Sequence, residues 1–150
     1  MNNYLQLTDK FHITYSGAEI DYKYPNKIDF SLEDIAWGLS HICRFAGQVK
    51  RFYSVAEHTV LMGRYLEERQ RKENKFPSYT DDAMLYILLH DASEAYMNDL
   101  PRNLKRLCPG YIIIEEKMTD AIFNTFLPGF NWRGVEEKWK WLDIAMSKNE

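Results

Sequence analysis

Apolar residues recur at helical spacing in five stretches of the chain, and a polar capping residue stands before each of the first three. These caps are Ser31, Ser54 and Thr80. Glu57 follows Ser54 by three residues, which is the arrangement of a capping box, and Ser31 with Asp34 has the same spacing and resembles a helix N-cap. The pattern therefore predicts where the first three helices begin.

Glycine and proline mark the ends of these stretches. The first predicted helix reaches residues 44–47, where Gly47 supplies the stop, and the third ends before Pro101. Two more helices are expected at about residues 111–126 and 134–145. Together the stretches predict an all-α fold, a compact bundle of about five helices.

The first 30 residues have a different character, with aromatic and polar residues alternating around Gly17 and Pro25. This pattern predicts a loop-rich N-terminal arm that contains a short hairpin. The alternation places His12 on the polar face of such a strand, so we interpret it as a solvated histidine rather than a ligand.

The composition of the chain limits the kinds of protein that it can be. The 150 residues, 45% of them hydrophobic, suffice for one core, so residues 1–150 are interpreted as a single domain. The net charge of −3 argues against a surface that coats nucleic acid, and no stable nucleic-acid complex is expected. No apolar run approaches the roughly 20 residues that span a bilayer, so no membrane association is expected.

Two further inferences concern compartment and assembly. Cys43 and Cys108 are too few for a disulfide framework, and residues 1–4 lack the features of a signal peptide, so we expect a cytoplasmic protein. Exposed aromatic residues such as Trp132 and Trp139 would permit a homo-oligomer.

The third predicted helix runs from a wholly apolar segment, residues 85–89, directly into His90, Asp91 and Glu94. Burial of such ionisable groups is costly without a partner, and a divalent metal is the most economical one. On a continuous helix His90 and Glu94 share a face, with Asp91 rotated by about 100°. The alternative is a polar helix end whose side chains are satisfied by hydrogen bonds.

Other predicted helices add two ionisable residues in apolar surroundings. His58 lies beside the apolar stripe of the second helix, where it is either a hydrogen-bonded core histidine or a ligand. Asp143 lies within the aromatic and aliphatic run of the last helix, so it needs a partner if buried and is solvated if the helix frays. Three helices thus contribute His58, the His90-Asp91 pair and Asp143, in that order.

Arg44 and Phe45 lie at the predicted end of the first helix. There a cation and an aromatic ring could face a ligand. Alternatively, Arg44 complements the C-terminal dipole of the helix and Phe45 packs into the core.

In its order of His, His-Asp and Asp, the chain resembles the HD-domain metal-dependent phosphohydrolases, and within them the small deoxynucleotidase branch with its phage-encoded members. Residues 34–36, 43–45, 51–58 and 90–101 carry the resemblance. It implies an HD-domain helical bundle that hydrolyses 2′-deoxynucleotides in the cytoplasm, or in the host cytoplasm if phage-encoded. The reaction would release triphosphate from a dNTP such as dATP, or phosphate from a deoxynucleoside monophosphate. The alternative is a nucleotide-binding regulatory module with a vestigial metal site.

The resemblance also implies a metal centre and a catalytic carboxylate. His58, His90, Asp91 and Asp143 would bind one divalent transition metal, and their mixed nitrogen and oxygen donors suit Mn, Co, Fe, Ni or Zn better than Ca. Glu94 would orient or deprotonate the attacking water.

A second implied group of residues holds the deoxynucleotide substrate. Arg44 would neutralise phosphate charge, as a catalytic and a binding residue, and Phe45 would stack against the sugar or base. Asp99 would bind the 3′-hydroxyl and, with Phe45, crowd a 2′-hydroxyl. The remaining candidates for phosphate contact, or else solvated surface, are Lys50, Arg51, Arg102 and Lys105.

Overall fold

A computed structural model describes residues 12–72 and 80–147, and in this part of the chain the fold is all-α, as predicted. Five of its helices have at least 9 residues, which agrees with the predicted number, and two are single turns of 4 residues. In chain order they are α1 (Leu32–His41), α2 (Val55–Lys72), α3 (Asp81–Leu89), α4 (Glu94–Met97), α5 (Arg102–Lys105), α6 (Pro109–Phe126) and α7 (Trp132–Ser147).

The N-terminal arm contains the predicted hairpin. Strand β1 (His12–Ile13) pairs antiparallel with β2 (Glu19–Ile20), and a 3-10 turn, Pro25–Lys27, follows. His12 is exposed, and its Nδ1 lies 2.8 Å from the hydroxyl of Tyr22. The part of the arm before residue 12 is outside the described residues.

Three predicted caps are confirmed. The side chains of Ser31, Ser54 and Thr80 each accept a hydrogen bond from the backbone N–H three residues later, at 3.1, 3.0 and 3.2 Å. Each bond satisfies an N–H group that has no partner inside the helix, and so fixes where α1, α2 and α3 begin.

The carboxylate of Asp34 joins the hairpin to α1. It is buried and accepts from Thr14 Oγ1 at 2.9 Å, from the Ser16 backbone N–H at 2.8 Å and from Ser16 Oγ at 2.6 Å. Burial alone would raise the pKa of this carboxyl, but the hydrogen bonds from Ser16 and Thr14 outweigh it and hold the pKa below its ordinary value. Asp34 therefore has a structural role beyond its place in the first turn of α1.

The first helix is shorter than predicted. It ends at His41, and Arg44–Gly47 form a separate tight turn, with left-handed backbone from Phe45 onwards, instead of its last residues. Here the backbone pairs with the segment near Tyr53. The Arg44 N–H donates to the Tyr53 carbonyl at 2.9 Å, next to an isolated β-bridge between Cys43 and Ser54. Because these bonds join residues far apart in sequence, the local apolar pattern does not report them.

The predicted third helix is also interrupted. It was expected to run without a break to the residues before Pro101, but α3 ends at Leu89 and α4 begins only at Glu94. Between them the backbone tightens: the Ala92 N–H donates to Leu89 and the Glu94 N–H donates to Asp91, each at 2.9 Å and across three residues instead of four. His90 and Glu94 are therefore not one turn apart on a continuous helix, as the sequence had suggested.

The core lies where α1, α2, α3, α6 and α7 meet. Its most deeply buried residues come from most of these helices and include Val55, Leu66, Ile87, Met118, Ile122 and Leu142. Trp139 belongs to this core, and Trp132 is half-buried against Phe123, with ring centroids 5.5 Å apart. The expectation that these two tryptophans are exposed is wrong, because the last helix packs both of these rings towards the core. The oligomer expectation therefore loses the support of these residues.

Of the helices that the structure describes, none combines the length and the apolar character needed to cross a bilayer.

Close packing of α1 on α4 yields a first prediction. A Cβ at Gly38 would stand 2.8 Å from the Ala95 carbonyl oxygen and 2.9 Å from the Ala95 Cβ, so the helices would have to separate. We expect Gly38→Ala to lower the free energy of unfolding by about 1–3 kcal/mol, measured by urea denaturation.

Gly110→Ala is the matched control, because a Cβ there would meet nothing within 4 Å. It should leave the free energy of unfolding unchanged or raise it. Equal destabilisation by the two substitutions would contradict the close approach at Gly38. Because α4 begins with Glu94, this approach also sets where that carboxylate lies.

Candidate active site

Three predicted metal ligands come together from separate parts of the fold. One donor atom each from His58, His90 and Asp143 lies within 4.8 Å of the other two. His58, on α2, is fully buried, His90 follows α3 and Asp143 is on α7. The Nε2 atom of His58 lies 3.2 Å from Oδ1 of Asp143. The described residues thus contain a candidate metal-binding site.

Asp91, the fourth predicted ligand, lies at the edge of this group. Its Oδ2 is 3.1 Å from Nε2 of His90 and 3.9 Å from Nε2 of His58. Asp91 is outside the mutually close set of three, but its carboxylate lies beside both imidazoles.

The tautomer of His90 suits a ligand. Its Nδ1 lies 2.8 Å from the Ile87 carbonyl oxygen, which can only accept, so the ring proton is on Nδ1. This leaves the lone pair of Nε2 available. Nε2 is buried and makes no hydrogen bond among the described residues, even though Asp91 is close to it. An outer carbonyl that fixes the tautomer is the usual support of a metal-binding histidine.

The electrostatics of the site favour an added positive charge. Burial by itself would lower the pKa of His90, but the adjacent Asp91 carboxylate raises that pKa to about 9. Burial would likewise raise the pKa of Asp91, yet the charge of His90 lowers it. These charges favour a cation at the site, either a second proton on the His90 ring or a metal ion that takes the place of that proton at Nε2. Nitrogen and carboxylate donors fit a divalent transition metal better than calcium.

Glu94 lies beside this centre without being part of it. Its side chain is buried, and Oε2 has no hydrogen-bond partner within the part of the chain that the structure describes. Burial, followed by the negative charges of Asp91 and Asp99, raises the pKa of the Glu94 carboxyl well above its ordinary value. Such a carboxylate is a stronger base than usual, and it lines the same cavity as His90, Asp91 and Asp143.

Arg44 was expected at an exposed helix end, but this expectation is wrong, because the residue is buried, with 7% of its surface exposed. The pairing of its backbone with Tyr53 turns the side chain inward. Its Nη1 lies 3.4 Å from Oδ2 of Asp91, and its Nη2 lies 3.8 Å from Oδ1 of Asp143. The alternative in which Arg44 complements the dipole of the first helix does not apply, because α1 ends at His41.

The next residues form a left-handed turn. Phe45, Ala46 and Gly47 have φ angles of 55°, 53° and 78°, which costs about 1–2 kcal/mol for each residue that has a Cβ. The Phe45 N–H donates to Oδ2 of Asp99 at 3.2 Å, and the Phe45 ring lies 5.2 Å from the Arg44 guanidinium. Phe45 is 36% exposed, so it lines the cavity and does not pack into the core.

One cavity of about 1050 Å³, the size of a small-molecule site, opens beside the candidate ligands. It is lined by Arg44, Phe45, His90, Asp91, Glu94, Asp99 and Asp143, but not by His58. Its outer wall comes from α5, α6 and α7 and carries charges of both signs. Sequence reasoning did not assign Arg133, Lys140 or the wall glutamates to a site, because such residues on a helix are typical of a solvated face. The charged residues of this wall are Arg102, Lys105, Arg106, Arg133, Lys140, Glu115, Glu116, Glu136 and Glu137.

The structure separates the basic candidates for phosphate contact. Lys50 and Arg51 are exposed and do not line the cavity, and Arg51 Nη2 pairs with Oε1 of Glu57 at 2.8 Å. Arg102 and Lys105 do line it, and Lys105 Nζ lies 2.6 Å from Oε1 of Glu115. The predicted phosphate-binding group is thus divided, with only the second pair beside the site.

No protein-family model matches the chain. It is similar to the uncharacterised protein YfdR of Escherichia coli, with 43% identity over 109 residues, which are 73% of this chain and 53% of that protein. It is also similar to an uncharacterised protein of Rhodobacter capsulatus, with 34% identity over 114 residues, 74% of this chain and 55% of that protein. The chain thus spans about half the length of these curated relatives.

Proposed function

We propose that the chain is an HD-domain phosphohydrolase that uses a divalent transition metal to hydrolyse 2′-deoxynucleotides. One observation carries the proposal: the donors of His58, His90 and Asp143 meet within 4.8 Å, with Asp91 beside them. They do so in the chain order of the HD-domain enzymes that the sequence resembles. A nucleotide-sized cavity opens onto this point.

The four ligands would hold the metal through their imidazole nitrogens and carboxylate oxygens. The chemistry that a divalent ion supplies in such a site is polarisation of a phosphate oxygen, which makes the phosphorus more open to attack by water. His90 is already fixed for this role by the Ile87 carbonyl. The orientation of the His90 ring therefore does not depend on metal binding.

Arg44 would bind the phosphate group. Its guanidinium is held near the ligands by Asp91 and Asp143, so little side-chain entropy is lost when a phosphate oxygen is bound. Since the planar fork carries five N–H donors, it can serve these carboxylates and a phosphate together.

Glu94 would accept a proton from the attacking water. A buried carboxylate with a raised pKa, beside a cationic centre, is suited to general-base catalysis near neutral pH. The unbonded Oε2 supports this role, because a carboxylate with only a structural role is normally fully hydrogen-bonded when buried.

Hydrolysis of a panel of nucleotides tests this function. Protein loaded with Mn²⁺ or Co²⁺ is incubated with deoxy- and ribonucleoside mono-, di- and triphosphates, and phosphate, pyrophosphate and triphosphate are resolved. We expect metal-dependent hydrolysis of deoxynucleotides, with release of phosphate from a monophosphate or of triphosphate from a dNTP. Protein that binds metal and nucleotide but hydrolyses none of them would instead support a regulatory module with a vestigial site.

A further inference from the structure

The short helix α4, which begins with Glu94, has little stability of its own. It contains 4 residues, and the Asn98 N–H closes it by donating to the Glu94 carbonyl at 2.8 Å. A single helical turn fixes several backbone dihedral angles for one hydrogen bond, so it is unfavourable in isolation. Asn98 also has a positive φ of 69°, which a residue with a Cβ rarely adopts. Contacts from outside α4 must therefore hold it.

Two tyrosine hydroxyls reach the carbonyl end of α4 from other parts of the fold. The Tyr22 hydroxyl, from the segment after β2, donates to the Tyr96 carbonyl at 2.5 Å. The Tyr111 hydroxyl, from α6, lies 3.1 Å from the Met97 carbonyl oxygen and 2.8 Å from that of Asn98, and it donates to this pair. The last carbonyls of a helix have no partner inside it, so these hydroxyls supply one. We call Tyr22 and Tyr111 the tyrosine clamp.

Both hydroxyls of the tyrosine clamp keep their protons and so act as donors. Burial raises the pKa of the Tyr22 hydroxyl above its ordinary value. Burial also raises the pKa of the Tyr111 hydroxyl, and the negative charges of Glu115 and Glu94 raise it further. The influence of Glu94 indicates that its carboxylate lies near this end of the clamp.

The Glu94 carboxylate depends on α4 for its position. Its Oε2 makes no hydrogen bond among the residues that the structure describes, so no bond to this atom fixes the side chain. Its backbone is fixed instead: α1 packs closely on Ala95 at Gly38, and the tyrosine clamp holds the other end of the turn. A shift of α4 would therefore move the carboxylate with it.

We propose that the tyrosine clamp positions Glu94, by holding the α4 turn so that the carboxylate stays within reach of the attacking water. The proposal rests on the general-base role of Glu94 proposed above. Neither Tyr22 nor Tyr111 lines the cavity, so neither is placed to contact the substrate. A general base acts only within hydrogen-bond distance of the proton it accepts, and a displacement of about 1 Å is enough to slow such a step.

Amide hydrogen exchange tests the clamp without any use of activity. Tyr111→Phe removes one oxygen atom and keeps the ring, and it should accelerate exchange of the Asn98 amide, which closes α4, by about 10-fold. Tyr22→Phe is a second variant with the same expected direction. Tyr65→Phe is the matched control, because the Tyr65 hydroxyl lies on α2, 3.4 Å from Nη1 of Arg69, and outside the cavity. Unchanged exchange in both clamp variants would overturn the proposal.

Steady-state kinetics test the consequence for Glu94. With a nucleotide that the protein hydrolyses, Tyr111→Phe should lower kcat by about 10-fold and leave KM and metal content unchanged. In a Glu94→Gln background the same substitution should lower kcat by about 2-fold or less, because the base that the clamp positions is already lost. An equal fall of kcat in both backgrounds would show that Tyr111 acts independently of Glu94, and would overturn the positioning role.

The two measurements separate this role from the proposed function. Hydrolysis with wild-type kcat in both clamp variants would leave the proposed function standing and refute the positioning role. Absence of hydrolysis of every nucleotide would instead sink the proposed function, together with the role of the clamp in catalysis. The exchange rate of the Asn98 amide would then still decide whether the clamp holds α4.

Discussion

Replacement of His90 by alanine is expected to abolish metal binding and hydrolysis together. The substitution removes an imidazole whose Nε2 lies in the ligand group and whose orientation is fixed by the Ile87 carbonyl. Apparent affinity for Mn²⁺, measured by titration calorimetry, should fall by more than the roughly 10–100-fold that loss of an outer-shell partner costs. Asp91→Ala should have the same two effects, because its carboxylate also faces the ligand group.

The chain offers a matched control in its exposed histidines. His41, on α1, lies outside the cavity with Nδ1 2.8 Å from the Trp37 carbonyl oxygen. His41→Ala should keep wild-type metal content and turnover, and far-UV circular dichroism should show all variants folded. Normal metal content in both His90→Ala and Asp91→Ala would refute the ligand assignment.

The starts of the helices could be predicted because their signals are local. Ser31, Ser54 and Thr80 act on N–H groups three residues away, and an apolar stripe compares residues three or four positions apart. The sequence therefore contains all the information that these features need. The all-α class and the predicted number of long helices follow from it.

The ends of two helices could not be predicted in the same way. The first ends early because residues near Arg44 pair with the backbone near Tyr53. The third is interrupted after Leu89, and the short helix that follows packs against Gly38. Both outcomes depend on tertiary contacts, which override local helical preference. The burial of Arg44 has the same origin.

The candidate metal ligands were predictable only as a group. A single histidine beside an apolar stripe, such as His58, has an ordinary interpretation as a core residue. The order of His58, His90-Asp91 and Asp143 on separate helices, together with the family resemblance, made the joint prediction specific. Because side chains on α6 and α7 have the spacing of a solvated face, the charged wall of the cavity was not foreseeable before the helices were placed.

Glu94 differs from the ligands in what its removal should do. It stands at the start of α4, buried, with Oε2 unbonded among the described residues, and its carboxyl pKa is raised by burial and by Asp91 and Asp99. Among the described residues it forms no ion pair with a ligand histidine, whereas Oδ2 of Asp91 lies 3.1 Å from Nε2 of His90. Substitution of Glu94 should therefore remove the general base and leave metal binding intact.

Glu94→Gln is expected to keep the metal and lose turnover. Glutamine has nearly the same volume, so packing is retained, but its amide cannot accept a proton from water, and kcat should fall by about 10²-fold or more. Metal content and steady-state kinetics are measured on the same preparation, with Glu33→Gln, an exposed residue of α1 outside the cavity, as the control of unchanged turnover. Wild-type turnover in Glu94→Gln would remove Glu94 from the mechanism, whereas loss of the metal would place it among the ligands and leave the base unidentified.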